Sequence, residues 1–444
     1  MLRLARVPLT AALTAGLVGA LSAACAALTL ISPTEGQAVR ENVRVELPAS
    51  AVGENSFISI MVGQPPSQKF VAALSRESGK QVGSSLVFFW NSKSPYYDPT
   101  QPMKDQYFKD GRYAMTLQVH GGNGRMTDSA TVNIVLRNKV ARTDPSPAIS
   151  LVNTLSFGQI RTYVMNADVQ VFDQVGLPVL GGLGVMSEAR IVQSVEDVRP
   201  TGEILLRYRI DDGAYIRTQG TRIALYEGDP LKPQLYRLVT KHGKVVKANM
   251  FSKQAKYAIT DILPVLPGTP VKEGDSWPDT FSLKVEGLTP VIKLEGSSML
   301  DSFEWQDGRE CAKIVSQLTG SAPVALANGK IQSAGPITAK ITTYFSYRSG
   351  NMLKRDIALE FPASILPGAG DFAEASASTA STTAPPSLAS IYEPFLEEAE
   401  TGESYTPRSP VSKSRPGTST TGTGADTGAK RGTVRMHVTV RLEK

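Results

Sequence analysis

The sequence predicts a mostly-β protein, in which a β-sandwich is followed by a large antiparallel β-sheet domain with a disordered insertion before its last strand. Three observations predict this fold class. The 444 residues include 38 Gly and 29 Pro but only 7% aromatic residues, which is typical of many turns and short strands. Apolar and polar residues alternate along most segments, as in half-buried strands. Glycine-containing turns separate these segments. With 41% hydrophobic residues, the chain can form the hydrophobic cores of two or three domains.

The first 26 residues have the pattern of a secretory signal peptide. Arg3 and Arg6 precede an apolar run, Val7–Leu21, and small residues follow it. The run is too short to span a bilayer, so the mature chain is expected to have no transmembrane span. We therefore predict an extracytoplasmic protein that is secreted, periplasmic or lipid-anchored to the cell envelope.

Two kinds of cleavage fit the end of this segment. Ala24–Ala26 suits ordinary signal peptidase, which would release a soluble protein beginning near Ala27. Ser22–Cys25 resembles a bacterial lipobox, in which Cys25 becomes the lipid-modified first residue, although Leu21 lies one position too far from the cysteine. Both alternatives stay open.

Charge and cysteine content exclude some classes of function. The formal net charge is +6, and the basic residues are scattered, whereas nucleic-acid binding needs a concentrated basic face. The excess of positive charge still favours weak attraction to an anionic envelope surface. Because Cys25 is either removed or lipidated, Cys311 has no cysteine partner in the mature chain and is predicted to be a small buried residue on a strand.

Residues 27–138 are predicted to form the sandwich, with strands that include Val43–Leu47, Phe57–Val62 and Ala130–Leu136. Tyr113 lies at the start of another strand, two residues after an Asp-Gly turn. This arrangement resembles the tyrosine corner of immunoglobulin-like sandwiches, and the segment as a whole is similar to bacterial immunoglobulin-like domains of cell-surface proteins. The resemblance implies two packed sheets with Trp90 as the core tryptophan, although the intersheet cysteines of antibodies are absent.

Residues 139–148, with two prolines, are predicted to be a linker, and residues 149–368 an antiparallel meander. Hairpin turns are predicted at Asp211–Gly213, His242-Gly243, Asp307-Gly308 and Ser349-Gly350. The paired Leu-Pro segment within Leu263–Trp277 resembles uncharacterised secreted bacterial proteins whose curved sheet is similar to the LolA/LolB-like half-barrels. That resemblance implies a concave sheet face able to hold a lipid, lipoprotein or hydrophobic peptide.

Residues 369–431 are dominated by Ser, Thr, Ala, Gly and Pro, and are predicted to be a disordered insertion. Residues 432–444 then alternate cleanly, with Val434, Val438 and Val440 on one face. We expect this final strand to join the sheet of the second domain beside Ile357–Phe361, because a long loop adds little closure entropy.

Two apolar clusters are candidate contact sites. Helical spacing within the insertion predicts a motif that docks onto a partner or into the concave sheet, with a transient apolar cluster as the alternative: Leu388, Ile391, Tyr392, Phe395 and Leu396. Tyr96 and Tyr97 lie between prolines, where they could stack on a sugar or pack a loop onto its own domain.

No catalytic or metal-binding motif is recognised, and no cofactor is expected. The three histidines, His120, His242 and His437, are far apart in the sequence. We therefore expect a non-enzymatic envelope protein that binds a hydrophobic ligand or a lipoprotein on a curved sheet. The alternative is a structural or adhesive surface protein without a small-molecule ligand.

Overall fold

The computed structural model describes residues 28–64, 66–96, 106–142, 147–172, 185–218, 221–224, 234–248, 263–283, 292–325, 331–362 and 433–443. Within these residues the chain is mostly β and contains no α-helix, so the predicted fold class is confirmed. The chain divides into two compact units, Met1–Asn138 and Lys139–Lys444. The signal segment, including Cys25, and the insertion at 369–431 lie outside the described residues.

The first unit contains two sheets. Its strands are β1 (Gln37–Val39), β2 (Asn42–Pro48), β3 (Phe57–Val62), β4 (Lys69–Ser75), β5 (Lys80–Val82), β6 (Ser85–Asn91), β7 (Gly111–His120) and β8 (Met126–Leu136). Five of them pair in the order β1-β8-β7-β3-β4, and the other three in the order β2-β6-β5. All of these pairs are antiparallel except β1 with β8.

The two sheets share one hydrophobic core, because the inward residues of their alternating strands pack together. Leu47 and Phe88 come from the three-stranded sheet, and Ile60 and Leu117 from the five-stranded sheet. All four are at most 1% exposed. This burial of apolar surface stabilises the sandwich.

Two residues that carried the sequence resemblance have defined places in this unit. Tyr113 Oη donates a hydrogen bond to the carbonyl of Lys109 at 2.9 Å, which is the contact of a tyrosine corner. Trp90 is buried and lies on β6, with its ring edge-on to Phe108 at 6.1 Å. It is thus a core tryptophan of the three-stranded sheet.

The second unit is built on one twelve-stranded sheet. Its strands are β9 (Ile160–Phe172), β10 (Val185–Val198), β11 (Glu203–Thr218), β12 (Thr221–Ala224), β13 (Gln234–Thr240), β14 (Val245–Ala248), β15 (Ser276–Leu283), β16 (Ile292–Gln306), β17 (Arg309–Ala325), β18 (Ile331–Ser346), β19 (Asn351–Pro362) and β20 (Thr433–Leu442). Eleven of them follow the order β14-β13-β11-β10-β9-β20-β19-β18-β17-β16-β15, with β12 paired to β11, and the strands that the structure describes are not closed into a barrel.

The last strand joins the two halves of this sheet. β20 pairs antiparallel with β19, where Val438 lies opposite Ile357, which confirms the predicted neighbour. Its other edge pairs with β9, where Leu442 lies opposite Tyr163. The alternation of β20 is also as predicted, since Val434 and Val438 are fully buried.

Three of the four predicted turns are present, at His242-Gly243, Asp307-Gly308 and Ser349-Gly350. The turn predicted at Asp211–Gly213 is wrong, because β11 continues through these residues. The ladder between β10 and β11 is irregular there: Arg190 pairs with Asp211, whereas Glu188 pairs with Tyr215. A bulge absorbs the extra residues and the strand does not turn.

The Leu-Pro segment, Leu263–Pro267, lies against the buried face of the large sheet. It is held by three hydrogen bonds from other elements. Arg355 Nη1 donates to the carbonyl of Leu263 at 2.9 Å, and Trp277 Nε1 donates to the carbonyl of Val265 at 3.0 Å. The third runs from the Leu266 amide to the carbonyl of His242 at 2.8 Å. Leu263 and Leu266 thereby enter the core of the unit.

Residues 139–142, which the sequence assigns to a linker, belong to the second unit and contact its strand β16. The Val140 amide donates to the carbonyl of Phe303 at 2.8 Å, and the guanidinium of Arg142 lies 3.9 Å from the centre of the Phe303 ring. Cys311 is fully buried on β17, beside Tyr344 and Leu353, as predicted for a small apolar residue.

Candidate functional site

The candidate ligand-binding surface is the face of the twelve-stranded sheet that points into the core of the second unit, called here the core face. Alternate residues of neighbouring strands supply apolar side chains to it from one side of the sheet to the other. Representative buried members are Val195, Leu206, Val438, Ile357, Ile341, Ile314, Leu300 and Phe281. Each is at most 2% exposed, so the face is covered in this structure.

A polar cluster interrupts this apolar face on β9 and β10. Arg161 lies directly opposite Gln193 in the ladder between these strands, and Tyr163 follows Arg161 on the same face. Arg161 is 6% exposed, and both Gln193 and Tyr163 are fully buried. The sequence pattern did not identify Arg161 or Gln193 as buried, because polar residues on a strand are usually predicted to face solvent.

Neutral groups surround the guanidinium of Arg161. Its Nη2 donates to the carbonyl of Thr154 at 3.1 Å, to Gln159 Oε1 at 3.3 Å and to Asn351 Oδ1. Among the described residues no carboxylate lies within ion-pair distance of Arg161. Buried charges in proteins are normally paired, so this guanidinium is an exception that requires an explanation.

The hydrogen-bonding capacity of the cluster is not exhausted. Gln193 Nε2 donates to Tyr208 Oη at 2.8 Å, but Gln193 Oε1 and Arg161 Nη1 are buried and have no hydrogen-bond partner in the part of the chain that the structure describes. Burial raises the pKa of Tyr163, and the neighbouring Arg161 acts in the opposite direction. The cluster therefore offers a cationic donor, an amide acceptor and a neutral phenol to a polar group.

A second buried polar network lies on β15, β16 and β17. Ser298 Oγ donates to Asp279 Oδ2 at 2.6 Å and lies 2.6 Å from Ser316 Oγ. All three residues are at most 4% exposed. Asp279 Oδ1 also accepts from the Thr280 amide at 2.8 Å, so this network is internally satisfied and acts as a link between strands.

One of the three histidines, His120, lies beside a serine. His120 Nε2 lies 2.8 Å from Ser59 Oγ, a contact that the sequence did not reveal, and its Nδ1 faces the carbonyl of Gly124 at 3.3 Å. A Ser-His pair used for nucleophilic catalysis is oriented by a third group, usually a carboxylate, whereas here a backbone carbonyl takes that position. No group of three or more His, Cys, Asp or Glu residues suited to a metal ion occurs among the described residues.

Tyr96 lies in a cleft of about 530 Å³ in the first unit. Its ring centre is 4.5 Å from that of Phe108, which in turn contacts the Tyr113 ring at 5.3 Å. Burial raises the pKa of Tyr113, and the neighbouring Tyr96 and Asp110 act in the same direction. Tyr96 thus packs onto its own domain and also lines a concave surface, and its stacking on a sugar stays a prediction.

The remaining predicted contact residues lie outside the described part of the chain: Tyr97, Leu388, Ile391, Tyr392, Phe395 and Leu396. No helix in the described ranges has the length and apolar character needed to cross a membrane. Comparison with known proteins found no protein family that matches the chain. A search of the curated proteins likewise found no similar protein.

Proposed function

We propose that this is a non-enzymatic extracytoplasmic protein that carries a hydrophobic ligand on the core face of its large sheet. The observation that carries this proposal is the cluster at Arg161 and Gln193. Both side chains are buried among the apolar residues of the core face, and among the described residues they retain an unpartnered donor and an unpartnered acceptor. Packing alone does not require a buried guanidinium without a carboxylate.

The chemistry of the face defines the ligand class. Apolar side chains from eleven paired strands suit an acyl chain or a hydrophobic peptide, and the Arg161 guanidinium suits an anionic or strongly polar end group. Because the apolar residues are covered in this structure, ligand entry requires displacement of covering residues. The strands that the structure describes are not closed into a barrel, so such a movement does not have to break a closed ladder of strands.

The proposed extracytoplasmic location of the protein and the proposed immunoglobulin-like fold of its first unit rest on separate features. The signal-like residues 1–26 support export, with Cys25 as the lipid attachment site if the lipobox is used. The pairing orders β1-β8-β7-β3-β4 and β2-β6-β5, together with the Tyr113 corner, support an immunoglobulin-like sandwich. A carrier with such a module fits the cell envelope.

Native mass spectrometry of the full chain, exported by a bacterial host, tests the proposal. We expect a dissociable hydrophobic adduct on the protein, and an N-terminal mass that shows either a lipidated Cys25 or a free start near Ala27. A chain without any adduct, which is also not stabilised by added amphiphiles, would contradict the carrier proposal and favour a structural or adhesive surface protein.

Thermal unfolding in the presence of sodium laurate, which is anionic, or of lauryl alcohol, which is neutral, tests whether the polar end of the ligand lies at Arg161. A ligand at 100 times its Kd stabilises a protein by about 2.7 kcal/mol. We expect laurate to stabilise the wild-type chain more than the alcohol does, and Arg161→Met to remove this difference. Arg309→Met is the matched control, because Arg309 is exposed on β17. If Arg161→Met and Arg309→Met show the same difference in stabilisation between laurate and the alcohol, the ligand does not bind at Arg161.

A further inference from the structure

The turn Ser156–Gln159, called here the Phe157 turn, precedes β9 in the second unit and presents exposed apolar side chains at the edge of the sheet. Phe157 is 76% exposed, and Ile160, the first residue of β9, is 67% exposed. They are the two most exposed large hydrophobic residues in the part of the chain that the structure describes. Single exposed apolar residues are common on protein surfaces, whereas two large ones within four residues point to a contact site.

The backbone holds this turn in place. The Gln159 amide donates to the carbonyl of Ser156 at 3.0 Å, and Gly158 has a φ of 77°, which suits glycine at the second central position. Two further bonds of 2.9 Å join the turn to β10. The Gly158 amide donates to the carbonyl of Val195, and the Val195 amide donates to the carbonyl of Gln159. Phe157 is therefore exposed at a fixed position, outside the hydrophobic core.

The neighbouring turn between β13 and β14 is basic. The Asn153 amide donates to the carbonyl of Lys241 at 2.8 Å, so the segment that leads into the Phe157 turn lies directly against the β13–β14 turn. Lys241 and Lys244 are both exposed. Neither lysine forms an ion pair with a described residue. An apolar turn and two cations thus lie at the same end of the sheet.

The described carboxylates of the other adjoining turns have arginine partners. In the β10–β11 turn, Arg199 lies 3.2 Å from Glu203 and 3.9 Å from Asp197. Glu310 lies 2.8 Å from Arg348 of the β18–β19 turn, which also contacts the segment before β9. The two lysines of the β13–β14 turn, in contrast, are free to pair with an anionic partner.

We propose that the Phe157 turn docks on the surface of an anionic lipid bilayer. Phe157 and Ile160 insert between the headgroups and the acyl chains, while Lys241 and Lys244 contact anionic headgroups. A protein partner fits less well. Specific protein interfaces bury about 800 Å² on each partner, whereas the apolar part of this surface consists of two side chains at one turn.

Docking at this turn goes beyond the proposed carrier function but lies beside its polar cluster. Arg161 Nη2 donates to the carbonyl of Thr154 at 3.1 Å and to Gln159 Oε1 at 3.3 Å, so the Phe157 turn is bonded to the Arg161 guanidinium. A bilayer at the turn would therefore be close to the group proposed to hold the polar end of the ligand. Docking does not require a bound ligand and is measured without one.

Co-sedimentation with lipid vesicles tests this inference. The full chain carries Cys25→Ala in every variant, so that no attached lipid contributes. We expect binding to vesicles of phosphatidylcholine with phosphatidylglycerol, and weaker binding to phosphatidylcholine alone. Phe157→Ser should weaken binding to both by about tenfold or more, since it removes the inserted ring. Lys241→Gln with Lys244→Gln should weaken binding to the anionic vesicles by about tenfold and leave the neutral vesicles unaffected.

The controls are Phe89→Ser, which removes a ring that is 56% exposed on β6, and Lys340→Gln, which removes an exposed lysine from β18. Both should bind vesicles as the parent chain does, and Phe157→Ser should unfold at the same temperature as the parent chain. Absence of vesicle binding, or equal losses for Phe157→Ser and Phe89→Ser, would overturn the proposal. The response of the protein to laurate is measured without vesicles, so the carrier proposal and the docking proposal fail separately.

Discussion

Ser298→Ala tests whether the buried polar network of the large sheet contributes to stability. Ser298 is 1% exposed on β16, and its hydroxyl is the central member of the network. It donates to Asp279 Oδ2 and contacts Ser316 Oγ, both at 2.6 Å. Alanine preserves the strand and leaves both partners in place without their shared contact.

The expected loss follows from those two partners. A buried hydrogen-bonding group that loses its partner costs about 1–3 kcal/mol, with the larger values for charged groups. Asp279 is 4% exposed and belongs at the upper end of this range, and Ser316, a neutral hydroxyl, at the lower end. Together they give a loss of about 2–4 kcal/mol in the free energy of unfolding.

Urea unfolding followed by tryptophan fluorescence measures this loss, because Trp277 lies directly opposite Ser298 in the ladder between β15 and β16. With an m value of about 3 kcal/mol/M, the midpoint should fall by on the order of 1 M. Ser297→Ala is the control, since Ser297 is the exposed neighbour on the other face. If Ser298→Ala costs no more than Ser297→Ala, the assignment of the network as a stabilising link is wrong.

Three further changes test other parts of the fold. A Cβ on Gly243 would lie 2.1 Å from a carbonyl oxygen of the Leu-Pro segment, so Gly243→Ala should lower thermal stability by at least about 3 kcal/mol. Gly202→Ala has a similar positive φ with open space around the new atom, and an equal loss there would contradict the packing argument. Tyr113→Phe should cost about 1 kcal/mol in urea unfolding, against less than about 0.5 kcal/mol for the exposed Tyr107→Phe, and indistinguishable losses would contradict the corner. The Tyr347 hydroxyl and Arg348 hold the pKa of Glu310 below its ordinary value, so its contribution is present at neutral pH and is lost as the pH falls through the lowered pKa. Glu310→Gln should therefore destabilise the protein by up to about 1 kcal/mol at pH 7 but not once the pH lies well below the lowered pKa of Glu310, and a difference that persists there would contradict the pairing.

The final strand shows what alternation and composition can predict. Val434, Val438 and Val440 identify both the strand and its buried face, and the apolar run Ile357–Phe361 identifies one neighbour. The pairing with β9 could not be predicted, because the two strands are separated by more than 250 residues and their patterns match several others equally well. The pairing of β20 with β9 joins the two halves of the second unit into one sheet.

The turn at Asp211–Gly213 was predicted wrongly because the local preference of these residues is overridden by strand pairing. Asp and Gly favour turns through local hydrogen bonds and φ freedom, and the sequence contains both. β11 pairs with β10 along one edge, and along the other edge with β13 before these residues and with β12 after them. This pairing outweighs the local preference, and the excess residues form a bulge. Local chemistry predicts a turn only where neighbouring strands do not compete for the same backbone groups.

The Arg161 cluster illustrates why a buried polar site escapes prediction from a single sequence. Arg161 and Tyr163 have the same parity, so alternation alone places both on one face, but a charged residue on a strand is ordinarily assigned to solvent. Gln193 joins them only through the register of β9 with β10. The same register also determines which polar groups lie next to each other in the cluster. The β9–β10 ladder places a guanidinium beside an amide among the apolar residues of the core face, and no described carboxylate lies within ion-pair distance of it. A buried charge without an ionic partner is unfavourable for the isolated chain, and the carrier proposal assumes that an anionic group of the ligand compensates this cost.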